Sequence, residues 1–283
     1  MTIAPERTRT ALASSAQPPQ SLTALRAVVR HGLRGKLRTL LAWGGSLGAL
    51  GAFEVAIYPS VQDSIEKVIK SYPAALKDAF GVEGMNTVEG YLHAEMFSLI
   101  VPLAMAYVAV RLVTQAVLAA EERGQLDTIL TLPLSRRVFV AGAYVVSALV
   151  CAGILEIVAL LAFVAGRAAG TGISLGLVFA GSMGVWPLTL FAAGVAAFAG
   201  GFLHRSAPAT GIAMGTIVGM YALDLAGQLA SALEPVRWAS VFRYYDAPLR
   251  HGINPLYFFA VAAVGVGLAV VGALIFDRRD VLH

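Results

Sequence analysis

Few side chains in this 283-residue chain could do chemistry, and most of those lie inside or beside long apolar runs. Asp224 stands out. Ile217, Tyr221, Asp224 and Gln228 recur at i, i+4, i+7 and i+11, so they share one face of a helix. A carboxylate at bilayer depth is costly unless it is paired or wet. That stripe therefore predicts either a polar pathway or a buried partner on another helix. Tyr107, Arg111 and Gln115 form a second polar stripe. Arg111 either snorkels to the headgroups or lines a polar cavity. Glu156 sits in a third apolar run with no nearby partner in sequence, while Glu54 and Glu95 lie near the ends of their runs and are placed to face water.

Bond-making chemistry is harder to find. There is no GxxxxGK[ST] loop to cradle ATP, no HExxH and no GxSxG. The five histidines are scattered over loops and ends, and no metal cluster is expected. One cysteine, Cys151, excludes an internal disulfide. A membrane enzyme is the weakest of the function classes.

The elements that must position these residues follow from composition. The chain is 58% hydrophobic and only 13% charged, with a mean hydropathy of +0.73. Soluble domains carry roughly 25% charged residues, so the expected fold is an all-α integral membrane protein. The first apolar run begins near Leu40 behind an Arg-rich leader, too late for a cleavable signal. Residues 1–20 read as a disordered cytoplasmic tail, and residues 21–283 as a single six-span membrane domain. In 21–39, arginines at 26, 30, 34 and 38 run beside Leu22, Leu25, Val29, Leu33 and Leu37, which predicts a basic amphipathic helix in the membrane interface.

The spans are expected at 40–58, 94–120, 138–164, 174–203, 210–232 and 256–276, with a kink at Trp186-Pro187. Thirteen of the 21 lysines and arginines then fall on the cytoplasmic side if both termini lie there, against seven outside. Basic excess in such a chain reports orientation, and no nucleic-acid partner is expected. Residues 59–93 predict an outer amphipathic segment, and 233–255 an outer interfacial or re-entrant element rich in aromatics and arginine. Gly211, Gly215 and Gly219 form a GxxxGxxxG row, which predicts close packing of the fifth span on another helix.

Between the second and third spans lies EERGQLDTILTLPLSRR, Glu121 to Arg137. Acid first and base last suits a helix macrodipole. Leu126, Ile129 and Leu130 share a face, Pro133 stops the helix, and Ser135 is placed to cap the next one. This predicts a short cytoplasmic helix over 121–137 with an apolar docking edge. The strip resembles E-E-x-G-T-L-[DE]-x-L-L-x-x-P-[VIL]-S-R of type-2 ATP-binding-cassette exporter permeases. Glu121, Glu122, Gly124, Leu126, Asp127, Leu130, Pro133, Ser135 and Arg136 fit, and Gln125 departs where the family usually has Thr. EGYLHAEMFSLIVPL, Glu89 to Leu103, is similar to the family's approach to its second span.

That resemblance implies a basic elbow helix at 21–39, a coupling helix at 121–137 and an outer gate at 233–255. It implies permeases that work as pairs, as a homodimer or with a related permease, in the plasma (inner) membrane of a prokaryote. Each binds a separate ATPase subunit, two copies in all, and ATP and Mg are held there, leaving no cofactor in this chain. The coupling contacts would come from Glu121, Glu122, Gly124, Leu126, Leu130, Pro133, Ser135 and Arg136. The cargo would be a drug, antibiotic or other amphiphile, with Tyr107, Arg111, Gln115, Glu156, Tyr221, Asp224 and Gln228 as pathway residues. Two other readings remain open: an ion-coupled secondary transporter with Asp224, Glu156 and Arg111 as its relay, and a regulatory membrane partner of an ATPase that moves no substrate.

Overall fold

Runs of apolar residues too long for a soluble core become helices, because backbone groups in lipid must satisfy one another. The computed structural model describes residues 20–71, 84, 86–124 and 135–278, and no strand occurs among them. Six helices in it are long and apolar enough to cross a membrane: Leu37–Ser64, Ile100–Glu122, Arg136–Ala168, Leu175–Phe202, Ser206–Leu229 and Pro255–Arg278.

In chain order, α1 is Gln20–Leu33, α2 is Leu37–Ser71 and α3 is Val88–Leu92. A π-helical turn, His93–Phe97, leads into α4, Ile100–Glu122. Next come α5 (Arg136–Ala168), α6 (Leu175–Gly184), α7 (Trp186–Phe202) and α8 (Ser206–Leu229). Two 3-10 segments, Ser231–Ala239 and Val241–Tyr245, precede the short α9, Pro248–His251, and the last span α10, Pro255–Arg278. Six crossings put α1 and the end of α10 on one face, with Glu122 and Arg136; we call this the strip-side face.

Several boundaries differ from the expected ones. The first span does not stop at 58. Its helix runs through Pro59 to Ser71, because a proline there deletes one ladder bond and the flanking turns continue. So the first part of the expected 59–93 segment is a continuation of the span, and residues 72–83 and 85 of it lie outside the described residues. The second span starts at Ile100 rather than 94. The Ser98 amide donates to the His93 carbonyl (2.8 Å), closing a π turn, and Leu99 leaves helical geometry with ψ −57° and φ −139°. The fourth span breaks as expected. Val185 separates α6 from α7, and Pro187 occupies the first turn of α7, where its missing N–H costs nothing.

Burial ranks the spans. In α4 and in the α6–α7 span 61% of the most apolar stretch is buried, against 28% for the first and last spans and 22% for α8. The second and fourth spans are therefore central, and α8 is the most peripheral. The tightest pairing joins α7 to α10. A Cβ built on Gly265 would lie 2.7 Å from the Leu190 carbonyl, and one on Gly272 would lie 2.5 Å from the Ala197 oxygen. Gly194 and Gly201 face them from α7, so backbone touches backbone.

Buried polar groups link the other helices. Ser147 donates to the Ala109 carbonyl (3.2 Å), Tyr144 to the Leu190 carbonyl (3.2 Å), and the Trp186 indole to the Ala148 carbonyl (2.9 Å). On the strip-side face Arg137 pairs with Asp277 at 2.7 Å, tying α5 to α10. The helix α1 lies along α5, where Val28 and Leu25 cover Gly142. Gly35, at φ +83°, makes the turn into α2.

Candidate functional site: a capped strip and two polar cavities

The strip Glu121–Arg137 is only partly described. Residues 125–134, which include Leu126, Leu130 and Pro133, lie outside the described residues. What remains corrects one expectation. Glu121 and Glu122 do not open a new helix; they are the last residues of α4. Gly124 then takes a φ of +65°, the left-handed conformation that ends a helix. The Glu122 carboxylate works elsewhere. It accepts from the Ser206 amide at 2.7 Å and the Ser206 hydroxyl at 3.1 Å, at the first residue of α8. A negative group at a helix N-terminus satisfies open donors and favours the macrodipole. Ser135 behaves as the spacing predicts, with its hydroxyl accepting from the Val138 amide at the start of α5.

The α4 stripe opens into a strip-side cavity of about 510 Å³, lined by Lys36, Arg111, Gln115, Ala116, Ala119, Arg123 and Ser206. Arg111 and Gln115 are thus brought together as the helical spacing predicts. Tyr107, one turn further, is 40% exposed and lies against the Trp43 ring with centroids 6.1 Å apart.

The α8 stripe opens into a second cavity, of about 290 Å³, on the opposite face. Tyr221, Asp224 and Gln228 line it together. Asp224 is 6% exposed and has two partners: Arg237 donates from Nε at 3.0 Å and Gln228 from Nε2 at 2.6 Å. Arg237 reaches it by crossing Gly227, where a Cβ would lie 2.7 Å from the arginine Cδ. The first 3-10 segment is thus hooked to the end of α8. Ser240 adds a hydrogen bond to the Met220 carbonyl (2.7 Å), and Phe242 packs edge-on against Tyr221.

His93 enters this cavity from the π turn. It is 5% exposed, its Nδ1 has no partner, and its ring stacks on Tyr245 with centroids 6.2 Å apart. The Tyr245 hydroxyl is also buried without a partner. Burial, with Arg250 and His251 nearby, pushes the His93 pKa down to about 4 from 6.5. Protonation therefore favours the unfolded chain. The stability owed to neutral His93 is complete above pH 6.5 and drains away as pH falls towards 4, with a limit on the order of 3 kcal/mol. Thermal unfolding from pH 7 to pH 4.5 should show this loss in the wild type and a shallower one in His93→Phe. Parallel curves for the two proteins would contradict the assignment.

The comparison with known families is decisive here. A family described as "Multidrug efflux system permease Rv1217c, C-terminal domain" matches residues 25–277, nearly the whole chain. The chain belongs to that family. The permease is a multi-pass membrane protein, as its six apolar helices require, and the match agrees with the exporter resemblance of the strip. No curated protein matches the permease significantly.

Other expected site residues stand apart. Glu156 is half-buried on α5 and lines neither cavity, so Asp224, Glu156 and Arg111 are not assembled into one relay. Glu54 accepts from the Tyr91 hydroxyl at 2.7 Å. Among the described residues the glycine row of α8 packs on no other helix: a Cβ on Gly211, Gly215 or Gly219 would meet nothing within 4 Å. Among the described residues no His, Cys, Asp and Glu side chains gather as a metal site. Sequence reading missed Lys36 and Ser206 at the first cavity and His93, Arg237 and Tyr245 at the second. The only hint was the density of arginine and aromatic residues in 233–255.

Proposed function

We propose that the permease is the membrane-spanning subunit of an ATP-driven exporter, working as a pair and coupled to separate ATPase subunits that hold ATP and Mg. The observation that carries this reading is the placement of its two polar stripes. One lines a cavity at the strip-side end of α4, the other a cavity at the far end of α8. A cargo crossing between two copies would meet Lys36, Arg111 and Gln115 first and Tyr221, Asp224 and Gln228 last.

In this reading the strip-side face is cytoplasmic and the protein sits in the plasma (inner) membrane of a prokaryote. The bias of lysine and arginine towards that face supports it. The helix α1 is the interfacial elbow, 121–137 carries the coupling contacts, and 233–255 is the outer gate. The open glycine row on α8, the least buried span, is the surface for the second permease. The matching family's description names multidrug efflux, so we assign amphiphilic drugs or antibiotics as cargo. Chemistry in this chain is mechanical, through the strip, and ATP hydrolysis belongs to the partner.

Replacing Leu126 and Leu130 together with Asp tests the coupling. Co-expressed with the partner ATPase of this reading, the double variant should insert normally and lose the ATPase on purification. Undiminished co-purification would sink the docking role.

A further inference from the structure

We propose that the strip-side cavity along α4 binds the acidic head of an anionic amphiphile, a phosphate or carboxylate carried on an apolar tail. Arg111, Gln115, Ala119 and Arg123 fall at i, i+4, i+8 and i+12 along α4 and its C-cap, and all four line the cavity. It therefore follows one helix face for three turns, roughly 18 Å. Arg111 lies midway along α4, so the cavity reaches from the strip-side surface into the span. Its volume of about 510 Å³ is within the range for small-molecule sites.

The charge in it is one-sided. Lys36 stands at the mouth, in the turn between α1 and α2, and Arg111 at the deep end. Among the described residues neither side chain makes a hydrogen bond or an ion pair, and the lining holds no carboxylate. Glu122, beside the mouth, is engaged as the acceptor of Ser206, and Arg123 has a partner of its own. The balance rests on Lys36 and Arg111 alone.

A guanidinium at mid-span is costly unless it is paired or wet. Arg111 is half-buried, and an open cavity wets it without neutralising it. Low-dielectric walls around charges of one sign focus the field into a cleft, so an anion is drawn in and a cation kept out. The guanidinium fork matches phosphate and carboxylate oxygens, and Gln115 offers amide donors one turn away. Between the charges the wall is Ala116 and Ala119, and Leu37, next to Lys36, is 65% exposed. Those apolar surfaces suit a tail, which a bare inorganic anion lacks.

The amphiphile can be a resident anionic phospholipid or an entering cargo, and only the second source rests on the exporter reading. The test uses the full chain in phosphatidylcholine nanodiscs without any ATPase, so its failure is separate from a failure of coupling. Radiolabelled decyl phosphate and decyltrimethylammonium, with equal tails and opposite charges, are titrated against it, and uptake by empty nanodiscs is subtracted. Saturable binding of decyl phosphate alone is expected, at least tenfold weaker in Arg111→Gln and in Lys36→Gln. Arg26→Gln should match the wild type, since it removes a like charge from the same face but outside the lining. In phosphatidylcholine alone Arg111→Gln should melt no lower than the wild type, because it loses an unneutralised charge. No saturable binding, equal binding of the two probes, an equal loss in Arg26→Gln, or a lower melting temperature of Arg111→Gln would overturn the proposal. Native mass spectrometry of the purified chain separates the sources. Retained phosphatidylglycerol that decyl phosphate displaces identifies a resident lipid, and binding without retained anionic lipid identifies an entering amphiphile.

Discussion

Alanine at Gly265 and Gly272 together should break the pairing of α7 with α10 and leave little folded permease to purify. One added methyl at each position meets main chain rather than a movable side chain: the Leu190 carbonyl at 2.7 Å and the Ala197 oxygen at 2.5 Å. Overpacking against side chains costs about 1–3 kcal/mol, and here nothing can rotate away, so the two helices must separate along their length. That also pulls on Arg137–Asp277 and on the core around Phe276. The control is a change of the same kind on α8. Gly215→Leu faces open space within the chain and should leave the single-chain fold intact, while splitting the pair if that row is its interface. Thermal unfolding and gel filtration in detergent read both effects. A double alanine variant with wild-type melting and elution would show that the α7–α10 contact is looser than its geometry.

Arg237→Ala should be nearly as severe. Asp224 and Arg237 side chains are 9% and 24% exposed, so removal of the arginine leaves a carboxylate in the last turns of a span without its countercharge, held by Gln228 alone. Breaking a buried pair from one side costs about 3–5 kcal/mol, whereas replacing both partners is far milder. The double variant Asp224→Asn with Arg237→Gln should therefore recover much of what either single change loses. Limited proteolysis is the second readout, since the segment Ser231–Ala239 is held to α8 by this pair. A single Arg237→Ala that melts and resists protease like the wild type would make the ion pair ornamental.

The six crossings were legible because 20-residue apolar runs have few alternatives, and the break in the fourth span because Pro187 cannot donate. Ser135 was legible because capping is local, within three residues. What escaped were contacts between residues distant in sequence. Glu122 looked like the acid of a helix start, and its hydroxyl and amide partners come from Ser206, 84 residues away. Asp224 was recognised as needing company, but its partner Arg237 sits in a 3-10 segment that carries no periodic signature. The glycines misled for a physical reason. The obvious row at 211, 215 and 219 is four-spaced and open, whereas the glycines in contact sit one heptad apart on two different helices, too sparse to register as a pattern.

The helix α8 is pinned at both ends, by Glu122 on Ser206 and by Arg237 on Asp224, and along its length it is the least enclosed span. Between those two pins lies about 27 Å of rigid helix. A tilt of about 5° around the Ser206 pin would carry Asp224 roughly 2 Å sideways, more than a 3.0 Å hydrogen bond tolerates. So either the far pin snaps or the aromatic segment rides along. With Ser240 and Phe242 adding further ties, the segment rides along, and a push at one membrane surface becomes a change in the shape of the cavity at the other.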